Sequence, residues 1–190
     1  MKYLSLLTIL LFCSCQKNHV PKPKAQLRLS YPEANYRTSK SELPFQFDLN
    51  AVSDSLKITK LRDDARSYGV NIEYPSLKGT IYLTYKPVTD SLVLNRYLLD
   101  AQNFTQEHTK IADEIEQQVY VNASRNVFGM FYEVGGNAAS QSQFYVTDST
   151  KHFLTGSLYF YARPNYDSIL PAAHYLKKDI KQIMESITWK

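Results

Sequence analysis

Cysteine is scarce in this chain, and the position of its two cysteines excludes several kinds of site. Cys13 and Cys15 are the only two among 190 residues, so the chain from residue 16 onward can form neither a disulfide nor a thiolate metal site. His108 has no second histidine at the spacing of a zinc motif, and a core histidine is the favoured interpretation of it. We therefore expect no metal site.

Clustered charge and long apolar runs are also missing. The 22 basic and 18 acidic residues leave a net charge of +4 with histidine neutral, and no Lys/Arg-rich run is present. This pattern argues against a nucleic-acid partner. The apolar run from Leu4 to Phe12 is broken by Ser5 and Thr8 and is too short to span a bilayer.

The N-terminus has the features of a secretion signal. Lys2 precedes the apolar run, which has the length of a signal-peptide core. Ser14 stands before Cys15, and a small residue before a cysteine here resembles the lipobox of bacterial lipoproteins, with Phe12 where leucine is usual. We predict a lipoprotein signal peptide over residues 1–14 and acyl chains on Cys15, which would hold the protein on a membrane. A plain signal peptide is the alternative.

A polar stretch rich in lysine and proline follows the predicted anchor. The segment VPKPK offers no core-forming side chain, and its prolines keep it extended. We predict a lipid-anchored tether or arm over residues 15–40, in which Leu27, Leu29 and Tyr31 alternate as in a short strand. Disorder throughout this segment is the alternative.

The remaining residues, 41–190, are predicted to form one globular domain in the cell envelope. The segment Gln16-Lys17-Asn18 lacks the acidic cluster that resembles a surface-export signal. We therefore expect the domain to face the periplasm.

Two-residue alternation, the mark of β-strands, covers much of this domain. Leu56 and Ile58 are expected to point inward, and a loop with proline and glycine at residues 75–79 predicts a hairpin. Strands are predicted at Leu43–Leu49, Val52–Ile58, Val70–Tyr74, Thr80–Tyr85, Phe128–Val134, Ser142–Val146 and His152–Tyr161.

Apolar residues recur at helical spacing in two places. One amphipathic helix is predicted from a cap at Asp90 or Ser91, with a possible interruption at residues 103–105. Its apolar face would hold Leu94, Tyr97, Leu98, Ala101, Phe104, His108, Ile111, Ala112 and Ile115.

The second helix is predicted at the C-terminus, with Asp167 or Ser168 as its cap and Pro171 in its first turn. Its apolar stripe would contain Ala173, Leu176, Ile180, Ile183, Met184 and Ile187. Its water-exposed side would carry Lys177, Lys178, Asp179, Lys181 and Glu185.

These elements together predict a single α+β domain, an antiparallel sheet with packed helices that include the C-terminal amphipathic one. The order of elements is similar to the Mog1/PsbP-like arrangement. Fifteen tyrosines suit strand faces that meet water at one edge.

Two stretches are candidate binding surfaces. Between the strands at 128–134 and 142–146 lies a small, polar loop that begins with two glycines, and loops of this kind on a rigid sheet often carry function. An ordinary hairpin connection is the favoured alternative. The candidate residues are Gly135, Gly136, Asn137, Ser140 and Gln143.

The second stretch, Thr147 to His152, holds a carboxylate, hydroxyls, an amine and an imidazole in six residues. A nucleophile needs a base in contact and a third group to orient that base, and neighbours on a tight turn diverge. Asp and Ser are also ordinary turn residues. We expect no catalysis here, and we keep Asp148, Lys151 and His152 as candidate partner-binding residues.

A family resemblance rests on the run VFGMFYEVGGNAASQSQFYVTDSTKHFLTGSLYF and on the tail RPNYDSILP…YLKKDIKQIMESITWK. It extends back through PKPKAQLRLSYPEANY, LPFQF, IEYPSLKGTIYLTYKP and HTKIADEI. These segments resemble the gliding-motility lipoprotein family GldD of gliding bacteroidetes. The resemblance implies a membrane-attached envelope lipoprotein needed for gliding, linked to type IX protein secretion, with no known catalytic residue and no cofactor.

The predicted function is therefore non-enzymatic, through contacts with other proteins of the gliding or secretion apparatus. One alternative is a periplasmic ligand-binding domain or hydrolase with a site near Asp148 and His152, reinforced by His108. A third hypothesis, peptidoglycan binding, rests only on tyrosines that could stack on sugars.

Overall fold

The computed structural model describes residues 30–62, 66–107, 112–161 and 166–190. Predictions for the signal peptide, Cys15, the VPKPK segment and His108 lie outside these ranges. The α-helices in the described ranges are α1 (Ser91–Glu107) and α2 (Tyr166–Ser186), and short 3-10 helices lie at Pro75–Leu77 and Ala123–Arg125. The strands are β1 (Tyr36–Thr38), β2 (Phe45–Gln46), β3 (Asp48–Asn50), β4 (Ser55–Lys60), β5 (Tyr68–Tyr74), β6 (Gly79–Pro87), β7 (Ala112–Asn122), β8 (Val127–Gly136), β9 (Ser140–Thr147), β10 (His152–Phe160) and β11 (Thr188–Trp189).

A seven-stranded antiparallel sheet in the order β4-β5-β6-β10-β9-β8-β7 is the centre of the fold. Strands β4 to β6 follow one another as hairpins, and so do β7 to β10. Helix α1 lies between the two groups in the chain, and β10 returns to pair with β6. The predicted α+β domain with an antiparallel sheet and packed helices is confirmed.

One face of the sheet packs against α2 and the segment that contains β2 and β3. Helix α2 supplies the apolar stripe that its spacing predicts, and all of that stripe is buried. The sheet supplies residues from alternating positions, since successive side chains point to opposite faces. The core of this face includes Phe45, Phe47, Val70, Ile72, Ile81, Leu83, Phe144, Val146, Leu154, Leu158, Leu176, Ile180, Ile183 and Met184.

The opposite face is covered in part by α1. The helix starts at the predicted cap, because the Asp90 carboxylate accepts the backbone N–H of Val93 at 2.9 Å. Its apolar side packs on a smaller cluster of buried residues, Val88, Tyr132, Tyr145 and Phe153, with Leu94, Tyr97, Leu98 and Ala101 against them. The sheet is therefore sandwiched between α1 and α2.

Continuation of the first helix to Ile115 is wrong. Helix α1 ends at Glu107, and residues 112–122 form the edge strand β7. The prediction rests on the spacing of Ala112 and Ile115, which are three residues apart as on one face of a helix. The segment from Val119 to Val121 favours a strand, because β-branched and aromatic residues pack well on a pleated surface.

Three smaller expectations also differ. The strand predicted at 43–49 is divided into β2 and β3, which pair with β11 and β1 respectively. Ile58 is 43% exposed rather than inward, because β4 is an edge strand. Helix α2 starts earlier than predicted, at Tyr166, so Asp167 and Ser168 lie inside it and Pro171 lies in its second turn.

Asp179 is the largest departure from the predicted pattern of α2. It is 1% exposed instead of facing water. Its carboxylate accepts the hydroxyl of Tyr36 at 2.7 Å and the side-chain amide of Asn50 at 2.9 and 3.0 Å. Burial raises the pKa of Asp179, and the hydrogen bonds offset part of that shift. The bonds join β1 and β3 to α2.

Candidate functional sites

The β8–β9 hairpin contains the first group of candidate residues. Its loop is only residues 137–139, shorter than the sequence suggests, because Gly135 and Gly136 end β8 and Ser140 begins β9. Gly136 has a φ of +88°, and a Cβ there would lie 2.7 Å from the Asp113 carboxylate. The glycine is therefore required by the backbone and by the close approach of β7.

Burial divides the hairpin candidates. Asn137 is exposed at the tip. Ser140 and Gln143 are buried within β9, at 0% and 3% exposure. Ser140 donates its hydroxyl to the backbone oxygen of Ser142, whereas Gln143 points toward α1. The structure thus separates Gln143 from the loop to which the sequence assigned it.

The second group, residues 147–152, is a hairpin turn held by the Asp148 carboxylate. Its Oδ1 accepts the backbone N–H groups of Thr150, Lys151 and His152 at 3.0, 2.8 and 2.8 Å, and its Oδ2 accepts the Thr150 hydroxyl at 2.9 Å. Burial alone would raise the pKa of Asp148, but these bonds outweigh it and lower the pKa. The carboxylate therefore stabilises its own turn.

The ring of His152 contacts other groups. Its Nδ1 lies 2.9 Å from the Tyr85 hydroxyl, and the ring stacks on Trp189 with centroids 4.9 Å apart. Burial lowers the pKa of His152, an effect that the Asp148 charge partly opposes. The bond between Asp148 and His152 runs to the backbone, so this contact does not orient the imidazole as a catalytic base.

The two groups of candidates are far apart. Asn137 and Asp148 flank the eight residues of β9, which span roughly 26 Å at about 3.3 Å per residue. The structure does not bring them into one site.

Strand β7 forms a free edge of the sheet within the described ranges. It is 11 residues long and pairs with β8 on one side. Val119 and Val121 are 74% and 63% exposed, and they stand opposite Met130 and Phe128. Long edge strands with exposed apolar side chains are ready to pair with another chain.

A cavity of about 330 Å³ lies between α1 and the sheet. Its floor comes from β6, β8, β9 and β10, and its roof comes from α1. Neither Asp148 nor His152 is among the described residues that line it. The floor includes Tyr82, Thr84, Tyr132, Gln143, Tyr145, Thr155, Ser157 and Tyr159, and the roof includes Tyr97, Asp100, Phe104 and Thr105.

Gln143 was a candidate in the sequence, but its place in this cavity was not foreseen. The available signal is in β10, where Thr155 and Ser157 interrupt a side of the strand that otherwise carries Phe153 and Tyr159. Small polar residues among large aromatic ones leave space above the sheet. Thr155 and Ser157 lie near Gln143 because of the register between β9 and β10, and the sequence alone does not reveal that register.

Within residues 30–62, 66–107, 112–161 and 166–190, no group of three or more His, Cys, Asp or Glu side chains is placed to hold a metal ion. In those same ranges, neither α1 nor α2 is long and apolar enough to cross a membrane.

Comparison with known proteins places the chain in a class of motility lipoproteins. The model of a family described as gliding motility lipoprotein GldD matches residues 16–189, nearly the whole chain. The chain belongs to this GldD family. Membership indicates a lipid-anchored protein of the cell envelope with a part in gliding motility.

No curated protein and no solved structure matches the chain. The similarity to the Mog1/PsbP-like arrangement therefore stays a prediction from element order.

Proposed function

We propose that this protein acts in gliding by binding another protein of the gliding or type IX secretion apparatus, and that it does so without catalysis. The observation that carries the proposal is the free edge at β7, with two large apolar side chains exposed in one short stretch. An extended segment of the partner would add to the sheet at this edge, through backbone hydrogen bonds and side-chain contacts.

The anchor in this proposal is Cys15, with the domain facing the periplasm. The family match supports the lipid anchor, because the family is described as a lipoprotein family. The arm over residues 15–40 would then set the distance between membrane and domain. Strand β1 lies at the end of this arm and is tied to the domain by Tyr36.

The exposed side chains of β7 indicate what kind of partner segment would bind to it. Asp113, Glu114 and Glu116 are exposed in its first half, whereas Val119 and Val121 are exposed in its second half. A segment with apolar side chains at alternate positions and basic residues at one end would match both halves. Opposite charges would also guide the segment into one register.

The candidate residues from the sequence differ in their distance from this edge. Gly136 pairs with Ala112 at the start of β7, so Gly135, Gly136 and Asn137 adjoin the proposed surface. Lys151 precedes β10 and His152 begins it, and β10 is separated from β7 by two strands. We therefore assign partner contact to the hairpin tip and not to the 147–152 turn.

The test uses photo-crosslinking in living cells together with a charge substitution. A photoreactive residue at Val119 is expected to give one discrete heavier adduct, and V119K/V121K is expected to stop gliding. Lysine on an exposed edge is well tolerated by the fold and discourages strand addition, so abundance and thermal unfolding should be unchanged.

The matched control lies at the other edge of the sheet. Ile58 is also an exposed aliphatic residue on an edge strand, and both the probe at this position and I58K should leave gliding and the adduct pattern unaffected. Normal gliding by stable V119K/V121K, or the same adducts from both edges, would refute the assignment to β7.

A further inference from the structure

The cavity beneath α1 exists because the residues around it differ in size. On one side, the rings of Tyr97, Phe153, Tyr145 and Tyr132 form a chain with neighbouring centroids 5.4, 5.9 and 6.4 Å apart. On the other side, Tyr82 and Tyr159 meet edge to face at 5.8 Å. Small side chains lie between these aromatic groups, so the helix cannot close onto the sheet.

The side chains in the middle of the cavity floor are mostly polar, and they lie opposite one another on neighbouring strands. Gln143 is directly opposite Ser157 on β10 and Tyr132 on β8, and Ser157 is opposite Tyr82 on β6. One row across four strands thus places an amide and a hydroxyl between two tyrosines. Thr84 and Thr155 form the next row, also opposite each other. The site combines flat apolar walls with amide and hydroxyl groups that can donate and accept hydrogen bonds.

Gln143 is the observation that points to a ligand. One end of its amide lies 3.0 Å from the Thr105 hydroxyl, whose single hydrogen is shared with the backbone oxygen of Ala101 at 3.1 Å. The other end, at Nε2, has no hydrogen-bond partner among the described residues, and the residue is 3% exposed. An amide end left unpaired in a buried position is destabilising, so a hydroxyl group of a ligand, which can donate or accept, would offset that cost.

The charges around the cavity favour an uncharged ligand. The charged residues among the described lining are Lys86 and Asp100, which cancel. The Lys86 ammonium already lies 4.8 Å from the ring centroid of Tyr97. Burial raises the pKa of Tyr132 to about 12, so its hydroxyl is neutral at physiological pH. No net charge is therefore offered to an anion or a cation.

We propose that this cavity binds one neutral sugar residue, stacked against the tyrosine walls and hydrogen-bonded to the Gln143 amide. A sugar ring has apolar C–H faces for the aromatic side chains and a rim of hydroxyl groups for the polar row. A volume of about 330 Å³ is at the small end of ligand pockets, which suits one ring and not a long chain. The site is distinct from the β7 edge.

The experiment measures sugar binding to the full chain in a detergent without a sugar headgroup. Isothermal titration and saturation-transfer NMR would use N-acetylglucosamine, glucose and galactose. We expect at least one of them to saturate a single site below about 1 mM. Q143L, which keeps the shape but removes the amide, is expected to weaken binding at least tenfold, the size expected from losing about 1.4 kcal/mol.

Two further variants make the result specific. S157F is expected to fill the cavity and abolish binding. Q102L changes an exposed glutamine on α1, outside the lining of the cavity, and should bind like the wild type. Circular dichroism and thermal unfolding would confirm that each variant is folded. If S157F does not fold, the sugar affinity of Q143L alone still tests the proposal.

The possible results either overturn the proposal or identify the source of the sugar. Absence of saturation by any neutral sugar at 10 mM, unchanged affinity in folded Q143L, or preference for charged sugars would overturn the proposal. Tighter binding of N-acetylglucosamine than of glucose and galactose would identify peptidoglycan as the source. Tighter binding of the neutral hexoses would instead identify an envelope polysaccharide.

Discussion

Asp148 shows how one side chain can fix a turn. Four hydrogen bonds reach its two carboxylate oxygens, three of them from backbone groups of the next four residues. Ser149 within the turn has a φ of 66°, a conformation that costs energy for a residue with a side chain. The carboxylate compensates for this cost, so its main role is in stability.

Substitution of Asp148 by alanine should lower the free energy of unfolding by about 2 kcal/mol, because several backbone donors lose their acceptor. The pKa of this carboxyl is lowered in the folded state. Its contribution is therefore present above the unfolded pKa near 4 and is lost as the pH falls through the folded pKa. Urea unfolding of wild type and D148A at pH 7 and pH 3 would test this, and an equal difference at both pH values would contradict it.

Asp179 presents the reverse case, since burial raises its pKa. A raised pKa means that its contribution to stability is full below the unfolded pKa near 4 and is lost as the pH rises through the folded pKa. Hydrogen bonds to the carboxylate oppose that rise in the pKa, and Tyr36 donates one of them at 2.7 Å.

Y36F should therefore destabilise the protein by about 1.5–3 kcal/mol at pH 7, the range for a hydrogen bond to a charged group, and by less at pH 4. Y31F provides the control, because it removes a hydroxyl from the same segment and leaves the ring against Tyr175. Denaturant unfolding at both pH values measures the effect. A loss that does not change with pH would mean that Asp179 is not charged in the fold.

At the scale of elements, the C-terminal strand β11 closes the core face of the sheet. It pairs with β2, and its Trp189 lies edge to face with Phe45 and stacks on His152. The indole N–H donates to the backbone oxygen of Asn126 at 3.1 Å. Two residues of strand thus join β2, the β7–β8 hairpin and the start of β10.

W189A should lower the free energy of unfolding by about 2–4 kcal/mol. Replacing a fully buried aromatic residue by alanine costs about 3–5 kcal/mol, and the loss here is smaller because Trp189 is only half-buried. Because Trp189 is the only tryptophan, unfolding must be followed by circular dichroism. W189F, which keeps a stacking ring but removes the N–H, should recover more than half of the loss. If W189A is as stable as wild type, β11 contributes little to closing the core.

Sequence patterns predicted the elements whose signals are local. Residues 128–160 alternate with a period of two, and three strands are found there; α2 shows the 3.6-residue stripe that its burial confirms. Strand β7 was missed because the spacing of Ala112 and Ile115 fits a helix as well, while its partner β8 decides the matter.

The features that escaped prediction depend on long-range contact. Asp179 occupies a position that helical spacing assigns to water, yet its partners Tyr36 and Asn50 are 143 and 129 residues away. The cavity likewise depends on which residues of β6, β8, β9 and β10 stand side by side. Hydrophobic period gives the face of each residue, whereas register across a sheet is set by the complete fold.

For the whole molecule, the bond between Tyr36 and Asp179 has a mechanical consequence. If the domain hangs from its N-terminal arm as proposed, a pull from the membrane reaches Tyr31, whose ring contacts Tyr175, and then β1, which pairs with β3 over only three residues. The core does not begin until Leu43 and Phe45. Tension would therefore peel residues 36–42 away before it opened the main sheet, lengthening the tether by roughly 24 Å at about 3.4 Å per residue. The contacts of β1 with β3 and α2 would open under load and form again when the load is removed, while the binding surfaces stay folded.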